Sequence, residues 1–518
     1  MALNIPKSGF QRFMKDGAQL FKGTDEAVLR NIDACVELAS QLKSAYGPNG
    51  MNKMVINHIE KLFVTNDAAT ILKELDIQHP AAKIIILASQ MQEKQIGDNT
   101  NTVVILATAL LEHGAELINM GLTPQEVAAG YEHAAEKALE ILPSLVVQEA
   151  TDLRDLSMVK KFLRSAITSK QYDNEEIIAD LVAKACVQTV PKNSFNFNVD
   201  NIRICKLLGS GVNSSMASFS FVMNGMVFKR GAEGEVKNSE NARVAVFTCP
   251  FDLTQTETKG TVLIENAQEL MGFAKGEESE VESQVKALAD NGVQVVVAAG
   301  KFGDLYLHFL NKYKIMGVRL TSKFDLRRLC RTVGAQAQAR ICAPAVNLLG
   351  KCDAVYVKEI GDENVVVFEN KGEKGNVATI LIRGSSQSRI DDVERAVDDA
   401  INTYKALTKD GKVLPGAGAV EIELARQIEN YGEKCPGLEQ YAIKKFAYAL
   451  ETLPKYIMDA AENNILDLYA GKKLAIKLAT DAAATILKVD QIIIAKQATG
   501  GPTPRGPKPQ DEDDEGMV

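Results

Sequence analysis

The chain has 518 residues, too many for one hydrophobic core to serve well, so about three domains are expected. Apolar residues make up 46% and charged residues 24%, as in an ordinary globular protein. No run of about 18 apolar residues and no secretory leader is visible, so no membrane span is expected. The formal net charge of −8 argues against nonspecific nucleic-acid binding, which needs concentrated lysine and arginine.

The cysteines and histidines are dispersed along the chain. Neither the eight cysteines nor the five histidines form a CxxC, HExxH or HxH pattern, so no zinc site and no thioredoxin-like motif is expected. We expect the cysteines to be reduced and mostly buried, as in a protein of a reducing compartment.

The first part of the chain is expected to be helical apart from one hairpin. Apolar residues recur at helical spacing in several stretches, and Gly-Pro, Gly-Asp and Thr-Pro sequences separate them. The expected elements are a helix from Asp25 to Leu42, a β-hairpin from Lys53 to Asn66, and helices from Ala68 to Leu75, Ala81 to Gln95, Thr100 onward, and Thr123-Pro124 to about Leu142.

The pattern changes near Val199, where short β-rich runs begin to alternate with helices such as Glu277 to Asp290. Such alternation predicts an α/β unit. Helical periodicity returns from Ser388 to about Lys488, followed by a strand from Gln491 to Ala495 and an acidic tail that we expect to be disordered. An economical explanation is that the two chain ends form one discontinuous domain and the middle is an insertion.

Three short polar loops and one pair of acids in an amphipathic helical run could carry chemistry, and each also has a plain structural interpretation. Residues 47–50 and 97–101 could present backbone amides to a phosphate, or could simply be a tight turn and a capped helix start. Asp98 would suit a phosphate site only with Mg²⁺ between them. Residues 414–421 could be an ordinary glycine-containing helix start, and residues 398–399 could be solvated acids. Taken singly, each loop favours the structural interpretation.

Taken together and in chain order, these loops resemble the nucleotide-binding signatures of group II chaperonins. The resemblance covers nearly the whole chain. Two longer runs, residues 44–58 and 435–442, are similar to one subunit type of the eukaryotic cytosolic chaperonin. The matching short motifs are residues 47–51, 65–67, 97–100, 399–400 and 416–419.

The resemblance implies a multidomain α and α/β fold. A mostly helical, discontinuous equatorial domain would contain both chain ends, a small intermediate domain would connect it, and an α/β apical domain with a helical protrusion would be inserted. The implied ranges are equatorial 1–145 and 402–496, intermediate 146–210 and 368–401, apical 211–367 with a protrusion at about 263–291, and a disordered tail 497–518. Met271, Phe273 and Ala274 would belong to an exposed, mobile protrusion tip.

The resemblance also implies roles for individual residues. Asp399 resembles the acid that positions or activates the attacking water, and Asp98 resembles the Mg²⁺ ligand. Asp67, which could equally be a helix cap, matches a carboxylate beside the γ-phosphate. Lys170 resembles a lysine that senses this phosphate. The remaining implied nucleotide contacts are Ala45, Tyr46, Gly47, Pro48, Thr100, Asn101, Gly416, Gly418 and, at the ribose, Asp467.

The implied function is that of an ATPase with ATP and Mg²⁺ as cofactors. The chain would be a cytoplasmic molecular chaperone subunit that assembles with paralogous subunits into a hetero-oligomeric double ring. The ring would enclose and fold unfolded client proteins such as actin and tubulin, with no nucleic acid or membrane partner. The alternative is a structural subunit that holds nucleotide with little or no turnover.

Three departures from the family pattern affect these expectations. Asn99 stands where the family usually has glycine, and asparagine is among the residues that best tolerate positive φ. Ala417 replaces the middle glycine of a usual triplet. Between Asn463 and Asn464 the family normally has a few dozen residues that lie against the adenine, so an apparent deletion here would alter adenine recognition.

Overall fold

The computed structural model describes residues 19–20, 24–47, 50–75, 77–150, 152–171, 174–191, 197–208, 221–252, 266–360, 363–370, 377–384, 386–454, 466–489 and 493–494. The helices are α1 (Thr24–Lys43), α2 (Ala68–Glu74), α3 (Pro80–Gln95), α4 (Thr100–Asn119), α5 (Pro124–Ile141), α6 (Leu156–Thr168), α7 (Glu175–Thr189), α8 (Ala267–Asp290), α9 (Asp304–Lys312), α10 (Lys323–Val333), α11 (Gln387–Lys409), α12 (Ala419–Gly432), α13 (Glu439–Glu451) and α14 (Tyr469–Leu487).

The strands are mostly short. They are β1 (Gln19–Leu20), β2 (Lys53–Ile56), β3 (Leu62–Thr65), β4 (Gln148–Glu149), β5 (Ile202–Leu208), β6 (Phe221–Phe228), β7 (Asn238–Phe247), β8 (Val295–Ala298), β9 (Met316–Arg319), β10 (Gly350–Ile360), β11 (Glu363–Glu369), β12 (Ala378–Gly384), β13 (Lys412–Pro415), β14 (Leu466–Leu468) and β15 (Ile493–Ile494).

A first hydrophobic core is built from both ends of the chain. It joins α1 to α5 with α12, α13 and α14, and α4 lies at its centre with most of its side chains buried. Local sequence signals define these helices: Thr123 and Glu126 form a capping box at the start of α5, and Asp67 caps α2. The hairpin β2–β3 pairs Lys53 with Thr65 and so leads the chain directly to the Asp67 cap.

A second core lies between the helical core and the inserted sheet. It contains the apolar faces of α6, α7 and α11 and one face of the parallel pair β5–β12. Its largest buried side chain is Tyr404, whose hydroxyl donates to the carbonyl of Leu153 at 2.8 Å. The helix α11 crosses the boundary expected between residues 401 and 402, because its apolar face continues from Ile390 to Leu407.

The middle of the chain forms an eight-stranded mixed sheet in the order β5-β12-β6-β11-β10-β7-β8-β9. The helices α8 and α9 pack on one face and α10 on the other. The expected α/β unit is therefore present. Its helix α8 begins at Ala267, ten residues before the predicted start, and the side chains of Met271, Phe273 and Ala274 lie outside the described residues.

Most elements expected at the two chain ends are present within one or two residues. The sequence patterns missed a three-stranded sheet, β14-β13-β4, and the pairing of β1 with β15, because strands of two to four residues carry little periodicity. Among the described helices, α4 alone is long and apolar enough to cross a membrane, but it is the buried centre of the first core. All eight cysteines are free; Cys35, Cys186, Cys205 and Cys352 are buried and Cys342 is exposed.

Candidate functional site

The second core meets the first at a buried cluster of acids around one lysine. Lys170 lies just beyond α6, Asp399 lies on α11, and Asp67 caps α2. The Nζ of Lys170 donates to Oδ2 of Asp399 and lies 3.4 Å from Oδ1 of Asp67. Burial alone would lower the pKa of Lys170, but the charges of Asp399 and Asp67 raise it, so the ammonium stays charged.

Asp67 is the most fully bonded carboxylate of this cluster. Its Oδ2 accepts from the backbone N–H and the hydroxyl of Thr70, at 3.0 and 2.7 Å, and its Oδ1 accepts from the hydroxyl of Thr100 at 3.1 Å. Burial by itself would raise the pKa of Asp67, but Lys170 and these hydrogen bonds lower it to about 2. Both interpretations of Asp67 therefore hold, since it caps a helix and lies beside Lys170.

Asp98 lies in the loop between α3 and α4, directly before the α4 N-terminus. The loop requires two left-handed residues, Gly97 with φ 90° and Asn99 with φ 65°, as expected for asparagine in place of glycine. A Cβ on Gly97 would lie 2.5 Å from the Cβ of Asn402, so the loop packs tightly on α11. Burial raises the pKa of Asp98, although Lys170 opposes the shift.

Asp399 accepts from Lys170, but its other surroundings disfavour its negative charge. Burial raises its pKa well above the ordinary value, Lys170 opposes that shift, and the charges of Asp67 and Asp98 add to it. Three carboxylates thus share one ammonium in a buried space, and a cation would relieve their repulsion. No group of three or more His, Cys, Asp or Glu side chains among the described residues is arranged to hold a metal alone. Proteins usually bind Mg²⁺ through one or two carboxylates together with phosphate oxygens of the substrate, and Asp98 could supply such a carboxylate.

The turn after α1 lies against the start of α4. Gly47 has φ 89°, and the phenol of Tyr46 lies 3.3 Å from the hydroxyl of Thr102. The amide of Asn101 donates to the carbonyl of Ala45 at 3.4 Å, and its oxygen accepts from the N–H of Ala68 at 2.8 Å. Asn101 therefore links this turn to α2. Pro48 lies outside the described residues.

The glycine-containing turn joins β13 to α12. Ala417 has φ 58° and Gly418 φ 80°, so the backbone of Ala417 adopts a left-handed conformation that favours glycine. Asp467 lies on the neighbouring strand, paired with Leu414, which is one residue before Pro415 and two before Gly416. Gly416 and Gly418 thus follow the end of the central strand β13, and Asp467 lies on the edge strand β14 beside it.

A second buried lysine, which sequence reasoning missed, lies beside this turn. The Nζ of Lys472 donates to Oε1 of Glu421 and lies 3.2 Å from Oδ2 of Asp467. Lys472 was not among the residues singled out from the sequence. Its position could have been found, because it lies on the buried stripe of α14 with Tyr469 and Ile476.

Three amide side chains connect these groups and were also missed. Gln92 on α3 donates to the carbonyls of Asp98 and Gly471, at 3.0 and 3.2 Å. Asn66 connects the first core to the second, and Gln171 connects the segment after α6 to α11 within the second core. Asn66 donates to the carbonyl of Ser169 at 2.9 Å, and Gln171 donates to Asp392 on α11 at 2.6 Å.

Comparison with known proteins identifies the class of protein. Residues 38–464 match the TCP-1/cpn60 chaperonin family, so the chain belongs to this family. The expected chaperonin fold and the expected role as a chaperonin subunit are thereby confirmed. Members of the family are in general nucleotide-binding ATPases.

Relatives that align over their whole length indicate which subunit type the chain resembles. T-complex protein 1 subunit theta of Caenorhabditis briggsae and that of Caenorhabditis elegans are each 76% identical to this chain over 553 residues, with 100% of both chains covered. The human protein of the same name is 54% identical over 551 residues, covering 99% of this chain and 100% of its own. The resemblance to one subunit type is confirmed, and that type is the theta subunit of the group II chaperonin TRiC/CCT.

The alignment is longer than the chain. With 553 aligned positions against 518 residues, at least 35 positions of the alignment have no residue of this chain. The family match ends at Asn464. Neither finding locates these positions in the chain, so the short junction expected at Asn463-Asn464, which lies outside the described residues, stays a prediction.

Proposed function

We propose that this chain is an ATP-hydrolysing subunit of a hetero-oligomeric chaperonin ring, with Mg²⁺ as its cofactor. The observation that carries the proposal is the convergence of Asp67, Asp98, Lys170 and Asp399 from four separate chain segments on one buried cluster. A stable fold has no need to bury three carboxylates around one ammonium, whereas phosphoryl transfer requires positioned charge.

Asp98 would hold the metal at the α4 N-terminus. Bound Mg²⁺ would neutralise charge on the phosphates during transfer. The raised pKa of Asp98 and its place beside Gly97 and Asn99 support this role, because a buried carboxylate gains most from a nearby cation. Lys170 would donate to a γ-phosphate oxygen.

Asp399 would act as the general base. A water oxygen attacks the γ-phosphorus, the bond to the β–γ bridging oxygen breaks, ADP leaves, and the water proton passes to the carboxylate of Asp399. This transfer requires Lys170 to release Asp399, and a γ-phosphate oxygen is the competing acceptor. Burial raises the pKa of Asp399, so its carboxylate binds a proton more strongly once Lys170 has released it, which suits a proton acceptor. Asp67, with its lowered pKa, would stay ionised and orient Lys170 and Thr100.

The other nucleotide contacts are proposed from the loops around this cluster. Tyr46 of the turn after α1 and Asp98 before α4 both lie close enough to Asp467 on β14 to interact with its charge. Gln92 joins the loop before α4 to the first turn of α14, which directly follows β14. The proposed contacts are Ala45, Tyr46, Gly47, Pro48, Thr100, Asn101, Gly416, Gly418 and, for the ribose, Asp467.

At the level of the assembly, we propose a cytoplasmic double ring of paralogous subunits that encloses unfolded clients such as actin and tubulin. The first core would be the equatorial domain, the second core the intermediate domain, and the eight-stranded sheet the main part of the apical domain. Because Asp399 and Asp67 belong to different cores, hydrolysis would require the two cores to be closed on each other.

The decisive experiment replaces Asp399 by asparagine and reads nucleotide at this subunit alone. Assembled rings are loaded with photoreactive azido-ATP carrying a radiolabelled α-phosphate, and the labelled subunit is analysed for ATP and ADP. The Asp399→Asn ring is expected to bind normally but to form ADP at least about 100-fold more slowly.

The matched control is Asp398→Asn, which removes the exposed neighbouring carboxylate on the same helix. It is expected to form ADP within about twofold of the wild-type rate. Wild-type turnover in the Asp399→Asn ring would exclude Asp399 as the base. Failure of the wild-type subunit to take up label would overturn the proposed function altogether.

The second candidate function is a subunit that holds nucleotide without turning it over. The alignment positions without a residue of this chain, and the end of the family match at Asn464, favour it. The same labelling experiment distinguishes the two: a wild-type subunit that keeps its label as ATP while neighbouring subunits form ADP would support this second function.

A further inference from the structure

The feature that goes beyond the phosphate cluster is the second buried lysine. Lys472 and Glu421 are 4% and 2% exposed, far less than is usual for charged side chains. They connect the first turns of α14 and α12, the two helices that follow β14 and β13. Burial alone would lower the pKa of Lys472, but Glu421 and Asp467 raise it well above the usual value, so Lys472 remains an ammonium.

The lysine is anchored on Glu421. The second oxygen of Glu421, Oε2, is buried without a hydrogen-bond partner among the described residues, so Lys472 is the group that compensates this carboxylate. The lysine cannot leave Glu421 without leaving a buried charge unpaired, which is costly. The position of the ammonium is therefore fixed by the first core.

Asp467 is different, because its side chain is 22% exposed and it is the middle residue of a strand of only three residues. Its Oδ2 lies 3.2 Å from the fixed ammonium. A carboxylate held through one oxygen has restricted rotation and keeps the other oxygen free to accept hydrogen bonds. The neighbouring backbone is also held, since Gln92 donates to the carbonyls of Gly471 and Asp98.

We propose that Lys472 is a positioning residue for ribose recognition: anchored on Glu421, it holds Asp467 so that its free oxygen accepts from the ribose hydroxyls of the nucleotide. The proposal rests on the proposed function, because it takes Asp467 as the ribose contact. Preorganising one side chain in this way raises the affinity for the hydroxylated ligand about three- to tenfold. A merely structural lysine would support all nucleotides equally.

The test compares ADP with its dideoxy analogue, which lacks both ribose hydroxyls. Each competes with azido-ADP for photolabelling of this subunit in the assembled ring. The wild-type subunit is expected to prefer ADP about 10- to 100-fold, as for hydrogen bonds to a charged acceptor. Asp467→Ala is expected to abolish this preference.

The informative variant is the double substitution Lys472→Met and Glu421→Met, which removes both members of the buried pair and leaves only the partly exposed Asp467 without its ammonium. Its preference for ADP is expected to fall about fivefold, with the affinity for the dideoxy analogue almost unchanged. Lys477→Met makes the same change at an exposed position of α14 and is the matched control; it should retain the wild-type preference.

Three outcomes are distinguishable. An unchanged preference in the double variant, with both affinities lowered in parallel, would overturn the positioning role. Equal binding of the two ligands by the wild-type subunit would overturn the ribose assignment of Asp467 and this inference with it. Absence of any specific photolabelling would instead overturn the proposed nucleotide-binding function.

Discussion

Lys170 and Lys472 are both buried between two carboxylates, but different parts of the chain meet at each. Lys170 follows α6 and joins Asp399 of the second core to Asp67 of the first. Lys472 joins Glu421 and Asp467, whose neighbouring helices both pack in the first core. The first ion cluster can be opened by moving one core away from the other. The Lys472–Glu421 pair of the second lies within the first core and can be opened only by unfolding part of it, while Asp467 lies between Leu466 and Leu468, which pack in the second core. Buried lysine–carboxylate ion pairs thus form a contact between two cores at Lys170 and a contact within one core at Lys472 and Glu421.

The largest effects are expected when each lysine is replaced by methionine, which tests whether the two lysines stabilise different parts of the chain. Lys472→Met leaves Glu421 buried and unpaired, and we expect it to destabilise the first core by about 3 to 5 kcal/mol. Lys170→Met should cost the first core less, because α11 can move away and expose the carboxylates to water. Hydrogen exchange of the two variants checks this. The Lys472→Met variant should lose protection in α12 and α14, and the Lys170→Met variant in α6 and α11. Identical exchange patterns would contradict the comparison.

A steric change tests whether the Lys170 cluster needs close contact between the cores. Gly97→Ala would place its Cβ 2.5 Å from the Cβ of Asn402, so α11 must withdraw. We expect ADP formation at this subunit to slow about 10- to 100-fold with nucleotide affinity retained, because the base is displaced. Gly121→Ala is the control: its φ of 102° is similarly strained, but nothing lies within 4 Å of the added Cβ. Equal slowing by both variants would attribute the effect to backbone strain.

The pH dependence of stability sharpens the contrast within the Lys170 cluster. The pKa of Asp67 is lowered from 3.8 to about 2 in the folded protein, so the unfolded chain takes up this proton first as the pH falls. The contribution of Asp67, about 2 kcal/mol, should be present above about pH 4 and lost as the pH approaches 2. Asp399, whose pKa is raised, should act in the opposite direction. Denaturant unfolding of wild-type and Asp67→Asn chains between pH 5 and pH 2 should show this loss only in the wild type.

The smallest expected effect concerns the rigid side of the site. Ala417→Gly removes a methyl group from a residue at φ 58° and should stabilise the chain by about 1 kcal/mol. Asn99→Gly should give less, since asparagine tolerates this conformation. Thermal denaturation midpoints of the two variants measure the difference. A lower midpoint for Ala417→Gly would show that the methyl packs favourably.

The sequence predicted elements well where apolar residues repeat over several turns. The helices α1 to α5 and the hairpin β2–β3 follow from periodicity, and Asp67 was recognised as a possible cap. The strands β13 and β14 were not predicted, because three or four residues cannot show an alternating pattern. The start of α8 was also missed.

The site could be predicted only in part. Asp67, Asp98 and Asp399 are far apart in the chain, so no spacing rule joins them, and their grouping came from the family resemblance. The structure brings these three and Lys170 together, while their catalytic roles remain predictions. Lys472 was missed because charged residues are normally assigned to the surface, although a lysine on the apolar stripe of a helix is a signal that it is paired.

The continuity of α11 has a mechanical consequence. The helix has 23 residues and is about 34 Å long. Asp399 and Asn402 lie near its middle, while its N-terminal end follows the strand β12 of the large sheet. A rotation of about 10° around the site would carry that end, about 18 Å away, through about 3 Å. A small shift of α11 where it packs against Gly97 would therefore become a displacement of about 3 Å at the end of α11 that adjoins the large sheet.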